Sequence, residues 1–129
     1  EEGQLNYYPK MPDITGPYGS QHYSNVITRE GNKFIVRTSG YKTRELQEGL
    51  RNGNVTVEIY INTWKTVKNT GPFGGNNHIW KGRVLRRNRS RFFYIDCTVI
   101  YYPSEGRIEA FGQWGRFSIG YKNSRHLIR

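Results

Sequence analysis

Between Phe92 and Tyr102 one parity of residues, Phe93, Ile95, Cys97, Val99 and Tyr101, is wholly apolar, while the other mixes rings with polar groups. A period of two sustained over this length predicts a strand with one buried and one open face. Its flanks predict a meander. Pro103-Ser104-Glu105-Gly106 carries turn chemistry, with proline presetting one dihedral and glycine accepting positive φ, and leads into a shorter strand, Arg107 to Phe111. Upstream, Arg87-Asn88-Arg89-Ser90 reads as a second hairpin turn. Downstream, Gly112 to Gly115 breaks the pattern before Phe117, Ile119 and Tyr121 alternate again. The stretch His78 to Tyr121 is therefore expected to hold four successive antiparallel strands.

Val55, Val57, Ile59 and Ile61 alternate with Thr56, Glu58, Tyr60 and Asn62, predicting another strand with its apolar residues inward. Asn25 to Glu30 and Lys33 to Arg37, split by Gly31-Asn32, predict a first hairpin. Thr43 to Asn52 predicts the one helix: Thr43 can cap it, Glu45 sits in its first turn, Leu46 and Leu50 stack at i, i+4, and Asn52-Gly53 supplies a left-handed stop. Lys65 to Asn77 reads as a loop. Residues 1–25 hold Pro9, Pro12 and Pro17 without sustained periodicity and read as an extended arm. The expected architecture is α+β. An arm over 1–25 precedes a single domain over 26–129, in which one short helix packs on a bent antiparallel sheet or on two small ones.

A chain of 129 residues suits one domain, and its 15% aromatic residues offset a modest apolar content, because each buried ring removes a large area from water. The single cysteine, Cys97, excludes an internal disulfide, and its apolar parity predicts a buried, inert thiol. No stretch reaches the ~20 apolar residues of a membrane-spanning helix. The opening Glu-Glu-Gly-Gln reads as the start of a mature or trimmed product. No metal-ligand spacing occurs, and no Gly-Lys-Ser/Thr follows Gly71 to Gly75, so neither metal nor small-molecule cofactor is expected. A monomer is expected.

Net charge is +10, and its distribution is uneven: basic and acidic residues balance at seven each over 1–58, whereas thirteen face three over 59–129. Lys81, Arg83, Arg86, Arg87, Arg89 and Arg91 follow one another with no acid between them. Such a field attracts polyanions, nucleic acid foremost. Binding a single strand takes cations along the backbone and exposed rings that stack on bases. The outward parity of the central strand offers Phe92, Tyr94 and Tyr102 beside the basic run, whereas Trp80 and Trp114 suit core packing better than stacking. The nine candidate RNA-binding residues are thus Lys81, Arg83, Arg86, Arg87, Arg89, Arg91, Phe92, Tyr94 and Tyr102. An alternative use of the surface is protein recognition through loops, with Lys68, Phe73, Asn76, Asn88 and Trp114 as the expected contacts.

Cleaving RNA through its 2′-hydroxyl would need a base, an acid and a cation on the phosphate. His22, His78 and His126 lie far apart in sequence, and a pairing of His78 with Glu58 or Glu109 is the constellation that would serve an active nuclease.

The order hairpin, helix, then antiparallel strands ending in a glycine-rich turn resembles the fungal guanyl-specific ribonucleases. It is more closely similar to their derivatives among powdery mildew effectors, the RNase-like proteins associated with haustoria. The likeness spans residues 31 to 121. It rests on the Lys33-Phe34-Ile35-Val36 strand, the helix Thr43 to Asn52, a strand like Ile79 to Leu85, the strand ending Thr98-Val99-Ile100-Tyr101, and Ile108 to Gly115 in place of the final catalytic turn. The departures are specific. Phe34-Ile35-Val36 stands where the family carries an aromatic-x-Cys motif. The general base glutamate would fall near Ile79 to Lys81, the transition-state arginine at about Thr98 and the acid histidine at about Trp114, and none of these positions matches.

The resemblance therefore implies a ribonuclease-like fold without its catalysis. It implies a virulence effector, secreted by a fungal pathogen into the host cell cytoplasm, that binds host RNA or ribonucleoprotein, or host immune proteins such as a plant immune receptor. An active ribonuclease toxin and a purely protein-binding module are the alternatives.

Overall fold

The computed structural model describes residues 10–21, 24–39, 54–68, 76–89, 91–113 and 115–122. Eight strands follow in chain order: β1 Gly16–Gly19, β2 Ser24–Glu30, β3 Lys33–Ser39, β4 Asn54–Lys68, β5 Asn76–Asn88, β6 Arg91–Tyr102, β7 Arg107–Gly112 and β8 Gly115–Lys122. Each pairs antiparallel with the next, and β8 returns to β1 through Tyr18↔Lys122 and Gly19↔Tyr121, closing the sheet into a barrel.

The expected α+β, microbial-ribonuclease-like architecture is thereby overturned. The fold is all-β, with no helix among the described residues, and the segment Thr43 to Asn52 lies outside them. The physical reason is closure. Once the sheet meets itself, every apolar parity points at one shared interior and no open apolar face is left for a helix to cover. The expected hairpin and the meander of β5 to β8 are present; what differs is that they form one sheet. No helix among the described residues is long and apolar enough to cross a membrane.

Inside the barrel, Phe34 and Trp80 meet edge to face with ring centroids 6.1 Å apart, and Val36, Val57, Ile59, Val84, Val99, Ile108, Ala110 and Ile119 are fully buried around them. Cys97 joins this core, where burial pushes its thiol up to about 11. A polar girdle ties the seam between the first strands and the last: the Asn25 amide donates to the Ile119 carbonyl at 2.8 Å, and Thr38 donates to Asn25 Oδ1 at 2.5 Å and touches Thr56 Oγ1 at 2.7 Å. The segment read as an arm supplies β1. Tyr18 of β1 is buried and donates its hydroxyl to the Ile14 carbonyl at 2.8 Å.

The seam is also why position 120 is glycine. Gly120 has φ +125, and a Cβ there would stand 2.7 Å from the Gly19 carbonyl carbon and nearer still to its oxygen. β4 continues through Lys65–Lys68, which the sequence read as loop, after its pairing with β5 shifts between Tyr60 and Lys65. At that bulge Thr63 Oγ1 accepts from the Lys81 amide at 2.7 Å and donates to the Tyr60 carbonyl at 2.6 Å, replacing ladder bonds that the bulge removes.

Candidate nucleic-acid interface

The barrel wall sorts the basic run by parity. On β5, Trp80 and Val84 point inward, so Lys81, Arg83 and Arg87 stand on the outer face. On β6, Val99 points inward, and Phe92, Tyr94, Asp96, Thr98 and Tyr102 stand outside. Register then pairs Arg83 with Asp96 and Arg87 with Phe92 across the β5–β6 ladder.

Cations lie over rings along this face. The Arg83 guanidinium is 5.0 Å from the Tyr94 ring centroid, Arg87 is 5.8 Å from Phe92, and Arg107 of β7 is 4.1 Å from Tyr102. Arg83 also donates to Glu58 Oε1 at 3.0 Å. Burial disfavours the charged form of Glu58, yet that hydrogen bond, the charge of Arg83 and nearby Lys33 together hold its carboxyl below the usual range. Arg107 is clasped by Glu105, at 2.9 Å, and by Glu109, whose other oxygen takes Arg116 at 3.0 Å. Tyr94 spends its hydroxyl on the Val55 carbonyl at 3.0 Å, leaving the ring half exposed.

One row crosses five strand pairs without a break: Lys33, Tyr60, Lys81, Thr98, Phe111 and Arg116, each the register partner of the next. A hollow of about 470 Å³ opens on this row, lined by Tyr60, Lys81, Asp96, Thr98, Phe111 and Gln113 over the backbone of Gly82 and Gly112. Tyr60 and Phe111 stand three strands apart, roughly 14 Å at the spacing of a sheet. Among the described residues Lys81 has no acidic partner. Lys33 lies 5.9 Å from the Tyr60 centroid.

The remaining predicted residues divide. Arg86 shares the inward parity of Val84 at the end of the barrel, opposite Phe93, where it donates to the Gly115 carbonyl at 3.3 Å and lies 5.9 Å from the Phe117 centroid. It does not join the outer face. Arg89, with φ 59, forms the β5–β6 turn, and Arg91 opens β6. Lys68 and Asn76 are register partners at one end of the β4–β5 hairpin, whereas Asn88 ends β5 roughly 40 Å away at ~3.3 Å per residue. The expected protein-contact loops therefore lie at opposite ends of the barrel. Phe73 and Trp114 lie outside the described residues.

His78 is inside, buried between aromatic rings: its Nδ1 accepts from Trp64 Nε1 at 3.0 Å, and its ring stacks on Trp64 and Tyr101 at 5.9 and 6.1 Å. Burial lowers its pKa. Glu58 and Glu109 belong to the outer parity, so the structure does not bring either carboxylate to His78. Tyr60, Asp96, Phe111 and Gln113 are site residues that the sequence reading does not single out. For Tyr60, Asp96 and Phe111 the signal is outward parity on their strands, while Gln113 lies in the turn after β7; only the register across four strands assembles them. Compared with protein-family models, with curated proteins and with solved structures, the chain shows no match.

Proposed function

We propose that this protein binds single-stranded nucleic acid, without cleaving it, on the outer face of β4 to β7. The observation that carries the reading is the unbroken row Lys33, Tyr60, Lys81, Thr98, Phe111 and Arg116, in which cations and rings share one surface over a hollow. Cations there meet phosphates, and rings stack on bases of any sequence. Arg83 and Arg87, stacked on Tyr94 and Phe92, extend the face along the barrel, and their guanidinium planes can receive a base while keeping their charge toward the backbone. A binding role rather than cleavage is supported by His78, which lies inside the barrel away from both candidate carboxylates. The reading rests on this surface and does not need the ribonuclease-like fold that the resemblance implied.

The test is fluorescence anisotropy of a labelled single-stranded RNA titrated with protein over a salt series, with a DNA oligomer of the same length alongside. Binding is expected to weaken linearly in log–log form. Lys81→Glu combined with Arg87→Glu is expected to lower the affinity at least tenfold and to reduce the slope by about 0.7 for each phosphate no longer neutralised. No anisotropy rise at low salt refutes the proposal, and a rise followed by decay of the signal refutes its non-catalytic half.

A further inference from the structure

An acid in the middle of a phosphate-binding face needs a reason, because it repels the ligand that the surrounding cations attract. Asp96 is such an acid. It is exposed, lines the hollow and makes no hydrogen bond or ion pair among the described residues. Its register partner, Arg83, could have neutralised it, yet that guanidinium is held by Glu58 at 3.0 Å and lies over Tyr94. Lys81, the hollow's other charge, pairs in register with Thr98 and so stands diagonal to Asp96, at roughly 7 Å for such neighbours. No ion pair joins the two. An ionised carboxylate only accepts hydrogen bonds and an ammonium only donates them. The hollow therefore offers an acceptor at one point and a donor a few ångströms away, with Tyr60 and Phe111 as stacking walls and the Gln113 amide able to do either.

We infer that this hollow is a base-reading subsite selecting a base with an exocyclic amino group, and that Asp96 is the group that accepts from it; the inference rests on the nucleic-acid reading above. Cytosine presents a donor at one end of its edge and a carbonyl acceptor at the other, which suits Asp96 and Lys81 together. Uracil presents carbonyl oxygens at both ends, so one of them would face the Asp96 carboxylate, a repulsive contact that excludes it. The cations supply affinity that is blind to sequence, and the lone acid converts part of it into selectivity.

Equal-length oligocytidine and oligouridine carry the same phosphate charge, so the difference in their affinities isolates the base contact. The full chain is expected to bind oligocytidine about tenfold more tightly, the size of one good edge contact. Asp96→Asn is expected to abolish that preference, chiefly by improving oligouridine binding as the repulsion disappears. Competition by cytidine monophosphate against uridine monophosphate on the unaltered protein gives the same comparison without any variant. Equal affinity for the two oligomers, or a preference that survives Asp96→Asn, overturns the subsite while leaving salt-dependent binding intact. Binding of neither oligomer overturns the nucleic-acid reading and the subsite with it.

Discussion

Gly120→Ala tests the closure on which the rest of the architecture depends. Position 120 sits at φ +125, a region that L residues with a Cβ do not occupy, and the added methyl would lie 2.7 Å from the Gly19 carbonyl carbon, well inside the ~3.5 Å of a normal carbon contact. Both atoms in conflict are backbone, so no rotamer relieves them and β8 must move off β1. Among the described residues that ladder has two register pairs, and the Asn25 amide bond to the neighbouring Ile119 carbonyl is strained with it. Backbone strain of about 1–3 kcal/mol adds to about 1 kcal/mol for a weakened buried hydrogen bond, so the expected loss is about 3 kcal/mol. Gly106→Ala is the internal control. Gly106 has φ +66, within the left-handed region, and an added Cβ meets nothing within 4 Å, so only about 1 kcal/mol is expected. Urea unfolding followed by tryptophan fluorescence measures both, with the slope required to stay constant. If Gly120→Ala costs no more than Gly106→Ala, β8 does not approach β1 as described, and the barrel is not closed there.

Two further predictions concern the interior. His78 is held neutral by burial, so the unfolded chain binds a proton near the ordinary pKa of 6.5 while the folded chain resists it until lower pH. Stability from this group is therefore complete above about 6.5 and falls as the pH drops through the interval down to the folded value; His78→Gln should flatten that part of a pH series of urea midpoints, and an unchanged slope refutes it. Cys97, with its thiol raised to about 11 by burial in the core, should react with a thiol reagent near neutral pH only at the rate of unfolding, and rapid labelling of the native protein would place it outside the core.

Much of the wall was legible from alternation. The strand around Ile95 to Tyr101, the strand carrying Val57 and Ile59, the hairpin across Gly31-Asn32 and the turn at Pro103 to Gly106 all stand where a period of two and turn chemistry put them. Parity along β5 separates Lys81, Arg83 and Arg87 from Trp80 and Val84 and puts Arg86 inside, but the sequence reading took the whole basic run as one surface and so counted Arg86 with it. β1 escaped because Gly16–Gly19 is too short to show a period, and it lies in a stretch that proline makes look like an arm. The end of β4 escaped because Thr66, Val67 and Lys68 lie outside the core and carry no apolar alternation.

The hollow was a different kind of miss. Tyr60, Lys81, Asp96 and Phe111 are far apart in sequence, and their meeting depends on how far each strand slides against the next. That slide is set by the bulge between Tyr60 and Lys65 and by the turns, where a shift of one residue would send a whole set of side chains to the other face. Apart from β1 and the end of β4, the strands, their apolar parity and the place where positive charge concentrates were legible in the sequence, because these depend on residues a few positions apart. Register and closure are properties of distant segments that meet only in the folded chain, so the closing of the sheet, the enclosure of His78, the lack of a partner for Asp96 among the described residues and the row of rings and cations across the wall come from the fold.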